Sequence, residues 1–196
     1  KNIKNKLAID MCAAPGGKTF QLLKYKAKLI INEKNLSRAN RMKNNLDRLS
    51  YNNKIHIDDA LNINQNIKFD IVVLDAPCSA VGTVRRNPDI FFRNNPPKFN
   101  EITLLQSQLL EKAKTIVKKK GIIVYIVCSF LENEGKKQIN NFLTNNKNFK
   151  LEKFKSNIPI YSSLIDNNGF IYTVPQKFNN QFLIDGFFAA KLTRND

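Results

Sequence analysis

The chain has 196 residues, 42% of them hydrophobic, and carries 32 Lys and Arg against 16 Asp and Glu, a formal net charge of +16. That length suits one domain with its own core, expected over residues 1–196. No apolar run reaches the roughly 18 residues a spanning helix needs, so no membrane partner is expected, and the positive excess favours a polyanion, nucleic acid above all. Many Lys stand beside Asn, which fits a generically Lys-rich composition equally.

Cys12, Cys78 and Cys128 are far apart and odd in number. They form neither a disulfide framework nor a C-x-x-C pair for zinc, so no metal site is expected, and a reducing, cytoplasmic compartment is. The single histidine, His56, sits beside a short apolar run and excludes His-based triads. The start, Lys1-Asn2-Ile3-Lys4, lacks both the apolar segment of a signal peptide and an initiating Met, which suggests a piece of a longer protein.

Leu7 to Met11 reads as a first strand, followed by the small-residue loop Cys12-Ala13-Ala14-Pro15-Gly16-Gly17-Lys18-Thr19 and a short helix. Strand, Gly-rich turn and helix start together cradle a ligand by its backbone. Cys12 stands where a Walker-type phosphate loop opens with Gly, and no G-x-G-x-x-G is present. Such a loop suits an adenosyl ligand without a pyrophosphate, such as S-adenosylmethionine. Lys28–Asn32 is a second strand ending on Glu33, an acid positioned either to accept hydrogen bonds from a ribose or to lie on the surface. Ser37 reads as the cap of a helix whose apolar face is Ala39, Met42, Leu46 and Leu49. Ile55–Ile57 is a third strand with Asp58 and Asp59 at its end, one of them directed at the adenine end of the ligand.

Phe69 to Leu74 is a buried parallel strand by composition and ends on Asp75. Ligands of open α/β sheets bind beyond the carboxyl ends of the strands, so Asp75 and Cys78 arrive where such folds do chemistry. A packed, inert thiol in a plain turn is the alternative. Phe91, Phe92 and Arg93 then suit base stacking and phosphate pairing, or packing beneath a loop. A long amphipathic helix from Ile102 to Val117 is expected to carry Lys118, Lys119 and Lys120 in its last turn and to end at Gly121. Ile122–Val127 is a strand ending on Cys128, and Glu132 to Phe142 a helix. Short strand-like pieces between Ile158 and Phe182, and a last strand after Asp185-Gly186, close the chain as an antiparallel hairpin. Alternating strands and helices give an α/β, doubly wound, mostly parallel sheet.

These motifs resemble the Sun/Fmu (RsmB-like) RNA 5-methylcytosine methyltransferases. The match rests on Asp10 to Thr19, on Asp75-Ala76-Pro77-Cys78-Ser79 with Gly82-Thr83 and Arg85-Arg86, on Tyr125 to Glu134, and on Gln106, Leu109-Leu110 and Asp185 to Phe188. The chain differs in having Ile126-Val127 where Ser-Thr or Cys-Thr is usual before the second thiol, and Ala80 where Gly is usual.

The resemblance implies a seven-stranded, Rossmann-like methyltransferase sheet with an antiparallel edge hairpin and an S-adenosylmethionine site lined by Cys12, Ala13, Ala14, Pro15, Gly16, Gly17, Lys18, Glu33, Arg38, Asp59 and Asp75. It implies that Cys128 is the nucleophile, that Cys78 helps release product, and that the partner is ribosomal RNA of the small subunit, met by a monomer. A thiolate adding to cytosine carbon 6 makes carbon 5 nucleophilic toward a sulfonium methyl. Asp75 would hold the base by its exocyclic amine and ring nitrogen, and Arg85, Arg86 and Lys18 are the candidates for lowering the thiol pKa. The alternative is a methyltransferase-fold fragment that binds RNA without reacting.

Overall fold

A computed structural model describes residues 3–178 and 182–195. Lys1 and Asn2 of the N-terminal stretch, and residues 179–181 of the strand-like region, lie outside them. The elements run β1 (Leu7–Asp10), α1 (Gly17–Lys24), β2 (Lys28–Asn32), α2 (Leu36–Arg48), β3 (Ile55–His56), β4 (Phe69–Asp75), α3 (Phe99–Ile116) and β5 (Val117–Val127). They continue as α4 (Lys136–Asn145), β6 (Phe149–Leu151), the one-turn α5 (Pro159–Ser162), β7 (Ile171–Thr173), β8 (Gln176–Phe178), β9 (Phe182–Ile184) and β10 (Phe187–Arg194).

One mixed sheet organises them in the order β3-β2-β1-β4-β5-β10-β6. Pairs among β3, β2, β1, β4 and β5 are parallel, and β10 runs antiparallel to β5. β6 and β7 share the far edge of β10, both antiparallel to it, while β8 and β9 form a separate hairpin. The closing strand is therefore inserted between β5 and β6.

The central strands are continuous apolar runs because both of their faces are covered. On one face Val72, Leu74, Ile123 and Tyr125 pack with Leu109, Leu110, Ala113 and Ile116 of α3, all essentially inaccessible to solvent. On the other, Ala8, Ile71, Val73, Ile126 and Ala189 form a second cluster. A third sets Met42 and Leu46 of α2 against Ile31, Ala13 and Ala14. The underside of the first loop is thus part of the core. Among the described residues, no helix is long and apolar enough to cross a membrane.

Three boundaries differ from the sequence reading. The helix α3 stops at Ile116, and the Lys run belongs to β5. Val117 pairs with Phe69 and Ile122 with Ile71, so Asp70 alone faces Lys118 to Gly121. Lys120 takes a left-handed φ of 59° in this bulge, and Lys118 Nζ meets Asp70 Oδ1 at 3.1 Å. Ladder pairing with β4 takes Val117 out of the helix, which local propensity does not register. The cap of α2 is Asn35, whose Oδ1 accepts from the Arg38 amide at 3.0 Å, rather than Ser37. The helix α4 starts at Lys136, not Glu132, after a turn in which Gly135 N donates to Leu131 O.

Candidate active site

The loop after β1 is fixed from beneath. The Ala13 amide donates to Asn32 O at 3.0 Å and the Ala14 amide to Glu33 Oε2 at 3.1 Å, while Arg38 Nη2 donates to Ala14 O. The Ala14–Pro15 peptide is cis, and Gly16 caps α1 with a φ of 111°, a conformation that costs a side-chain-bearing residue dearly. A Cβ at Gly17 would meet nothing within 4 Å, so the loop leaves open space above it. Ala13 and Ala14 are buried in the core with Ile31, Met42 and Leu46 and are not among the residues lining the cleft.

Glu33, Asp59, Cys12 and Arg38 line one cleft of about 400 Å³, with Pro77 and Leu105 on its far side. Glu33 is buried, and its Oε1 accepts from the Asn35 amide at 2.9 Å. Asp59 accepts from Lys34 Nζ at 2.7 Å and from the Leu61 amide at 2.9 Å. The lysine first and the amide second hold its carboxyl below the usual range. Burial pushes the Cys12 thiol up to about 12. It is therefore a neutral wall of the cleft rather than a nucleophile. Asp10 lies beneath this floor, fully buried, and its Oδ2 accepts from Thr19 Oγ1 at 2.7 Å. Among the described residues its Oδ1 has no hydrogen-bond partner, and burial raises its pKa to about 7.

The second half of the site stands at the carboxyl ends of β4 and β5. Asp75 faces Ile126 across the parallel ladder, and the Ala76 amide extends the pairing to Ile126 O at 2.9 Å. Cys78 and Cys128 leave neighbouring strands immediately beyond, and their sulfurs are 3.2 Å apart, both thiols free. Gly82 crosses behind them, its amide donating to Cys128 O at 3.1 Å and its carbonyl accepting from the Gly186 amide at 2.7 Å. Lys18 Nζ pairs with Asp75 Oδ2 at 2.6 Å.

The two thiols are electrostatically unequal. The hydrogen bond from Cys78 holds the Cys128 thiol below its ordinary value against burial, and Lys18 acts in the same direction. The same contact, followed by burial and by the charge on Cys128, pushes Cys78 well up. The opposite directions of the two shifts favour Cys78 as the sulfur that keeps its proton and Cys128 as the more acidic partner.

Arg85 and Arg86 are held by an acid outside the thiol pair. Arg85 Nε reaches Asp185 Oδ1 at 3.2 Å and Arg86 Nε reaches Asp185 Oδ2 at 2.6 Å. Of the three expected cations, Lys18 is among the causes that lower the Cys128 thiol. Two features escaped the sequence reading. Lys34 pairs with Asp59 across the cleft wall. Glu134, buried, accepts from the Ser79 amide at 2.8 Å, from Ser79 Oγ at 2.5 Å and from Gln106 Nε2 at 3.1 Å. Gln106 also donates to Pro77 O at 2.9 Å, so the whole turn bearing Cys78 is braced. The only signal for this was the presence of Gln106 and Glu134 within the motifs, without a partner to assign them.

Residues 2–193 match the model of the 16S rRNA methyltransferase RsmB/F family. Ribosomal RNA small subunit methyltransferase B of Shewanella oneidensis is 36% identical over 195 residues, covering 97% of this chain and 43% of that protein. Its counterpart in Pasteurella multocida is 34% identical over 198 residues, covering 96% of this chain and 42% of that protein. The solved structure of NSun6 from Pyrococcus horikoshii with SFG superposes with a TM-score of 0.80 at 28% identity, covering 97% of this chain and 48% of that one. The chain therefore spans less than half the length of these relatives. With the loop after β1, the acids of the cleft and the thiol pair on one sheet edge, the chain belongs to the 16S rRNA methyltransferase RsmB/F family.

Proposed function

We propose that residues 1–196 form one catalytic domain of a monomeric, cytoplasmic RNA cytosine-C5 methyltransferase that uses S-adenosylmethionine and acts on small-subunit ribosomal RNA through a covalent cysteine–cytosine adduct. The observation that carries this reading is the 3.2 Å separation of Cys78 and Cys128 beyond the carboxyl ends of β4 and β5. A binding module has no need of two juxtaposed thiols of unequal acidity.

The residues present fit the methyl donor. Glu33 and Asp59 offer carboxylate oxygens to a nucleoside's hydroxyl and amino groups, Arg38 and Cys12 complete that wall, and Gly17 leaves room for a ligand over the loop. When bound there, the donor supplies an electrophilic sulfonium methyl and leaves as the thioether.

The Cys128 thiolate adds to carbon 6 of an unstacked cytosine, forming the C6–S bond and delivering the electron pair to carbon 5 and the ring. Asp75, held in place by Lys18, takes the exocyclic amine of the base. After methylation, water in the open cleft takes the carbon 5 proton, the C5–C6 double bond re-forms and the C6–S bond breaks. The departing Cys128 thiolate is received by the S–H of Cys78. The net charge of +16 supports a polyanionic substrate.

Cys128→Ala tests the reading. Methyl transfer to small-subunit RNA by the full-length protein should fall by more than about a thousandfold, with donor affinity by calorimetry unchanged. Persisting transfer overturns the assignment. Donor binding without any transfer by the unsubstituted protein supports the alternative of a non-catalytic RNA-binding fragment.

A further inference from the structure

We propose that Glu134 is a positioning residue for Cys78: its buried carboxylate pins the Cys78 turn and keeps the proton of the thiol pair on Cys78, leaving Cys128 as the reactive sulfur. This rests on the reading of Cys128 as nucleophile and adds what decides between the two sulfurs.

Three contacts carry the inference. Glu134 is fully buried, and the Ser79 amide, the Ser79 hydroxyl and the Gln106 amide all donate to it. Glu134 acts only as acceptor, as a carboxylate does. Two of these donors belong to the residue next to Cys78, and the third, Gln106, also holds Pro77 O on the other side of Cys78. The thiol is therefore clamped through both neighbours to one charged group. The Tyr125 hydroxyl donates to Glu134 O at 2.6 Å, which fixes Glu134 itself to β5, the strand that delivers Cys128.

The charges around the pair are divided. From the turn before α4, Glu134 holds Ser79, the residue after Cys78, and its charge is the last of the causes that raise the Cys78 thiol. From α1 and the end of β4, Lys18 and Asp75 face Cys128 as an ion pair. Gln106 of α3 and the Tyr125 hydroxyl are the uncharged groups packed against Glu134. A second negative charge on Cys78 would sit beside both Glu134 and the Cys128 thiolate, whereas a charge on Cys128 is balanced by Lys18. Two chemically identical thiols stand in unlike surroundings: a buried acid braces the turn of Cys78, and the Lys18–Asp75 ion pair stands at Cys128.

The test needs neither RNA nor methyl donor, so its failure is separable from that of the proposed reaction. In a Cys128→Ala background of the full-length protein, alkylation of Cys78 by iodoacetamide is followed by peptide-resolved mass spectrometry from pH 6.5 to 10. Glu134→Gln keeps the side chain's size and one acceptor oxygen and removes the charge. It should move the onset of Cys78 labelling about one pH unit lower, a roughly tenfold faster reaction at a fixed pH below the onset. Glu134→Asp, which restores the charge, should move the onset back upward. Ser79→Ala keeps the charge and loosens the turn. It should leave the onset of Cys78 labelling in place. This second variant keeps the question open to decision if Glu134→Gln fails to fold. An unchanged profile in Glu134→Gln, or an equal shift in Ser79→Ala, overturns the proposal.

Discussion

Gly82 and Gly186 are packed backbone to backbone, the Gly186 amide donating to Gly82 O at 2.7 Å. A Cβ on Gly82 would overlap the Gly186 carbonyl and come within 2.9 Å of Cys128 O. Neither obstacle is the tip of a flexible side chain. Gly82→Ala should therefore destabilise the protein by about 1–3 kcal/mol, the usual range for overpacking, and displace the Cys78 turn from Cys128. Urea denaturation reads the first effect, and loss of methyl transfer beyond that accounted for by unfolding reads the second.

Cys78→Ala should convert a turnover catalyst into a trap. The departing thiolate loses its hydrogen-bond donor, so release slows more than attack, and a protein–RNA adduct that survives denaturing electrophoresis should accumulate. Normal turnover without such an adduct would make Cys78 a packing residue.

Lys18→Met removes a cation that lowers the Cys128 thiol and the partner of Asp75 at 2.6 Å. Both changes disfavour the thiolate. Alkylation of Cys128 should begin about one pH unit higher, a roughly tenfold drop in reactive thiolate near pH 7. Donor affinity measured in parallel separates this from a damaged loop.

Asp10 gives a pH signature of stability. Burial, the largest cause, raises its pKa from 3.8 to about 7 in the folded protein. Between those values the folded state holds a proton that the unfolded state releases, so stability falls as pH rises through that window. Asp10→Asn has no such proton. The stability of this variant relative to the unsubstituted protein should rise with pH from about 4 to 7, by at most about 1.4 kcal/mol per pH unit, and be flat above pH 8. Urea titrations of both proteins at pH 5, 6, 7 and 8.5 check the sign.

Phe91 and Phe92, left open between stacking and packing by their sequence, are 66% and 82% exposed, while Ile90 between them and Asp89 is the residue buried. Phe92→Ala should weaken binding of single-stranded RNA by about 1–3 kcal/mol and Phe92→Trp should retain it, with fluorescence titration as the measure. Unchanged affinity in the alanine variant would remove Phe92 from the substrate surface.

Local pattern located both thiols, because each follows a short apolar strand that composition alone marks as buried. The positions of the small-residue loop from Cys12 to Lys18 and of Glu33 at strand ends were legible for the same reason, whereas local pattern leaves Asp58 and Asp59 open and only the resemblance chooses Asp59. What escaped depends on contacts distant in sequence. Arg85 and Arg86 read as free positive charge until Asp185 is brought against them. The Lys118 run satisfied the rules for a helix end, yet Phe69 and Asp70 draw that segment into the sheet. Glu134 looked like one acid among several in a helix start, and its meaning comes from Ser79 and Gln106.

The pairing of Asp75 with Ile126 makes the sheet a ruler for the chemistry. The gap between the two sulfurs is measured off by main-chain amides and carbonyls, which every residue except proline supplies alike. Substitutions along β4 and β5 can therefore accumulate so long as they still fill the interior, whereas inserting or deleting one residue in either strand turns its thiol toward the opposite side of the sheet. Such a protein can drift far in composition while its reactive centre tolerates no change of spacing.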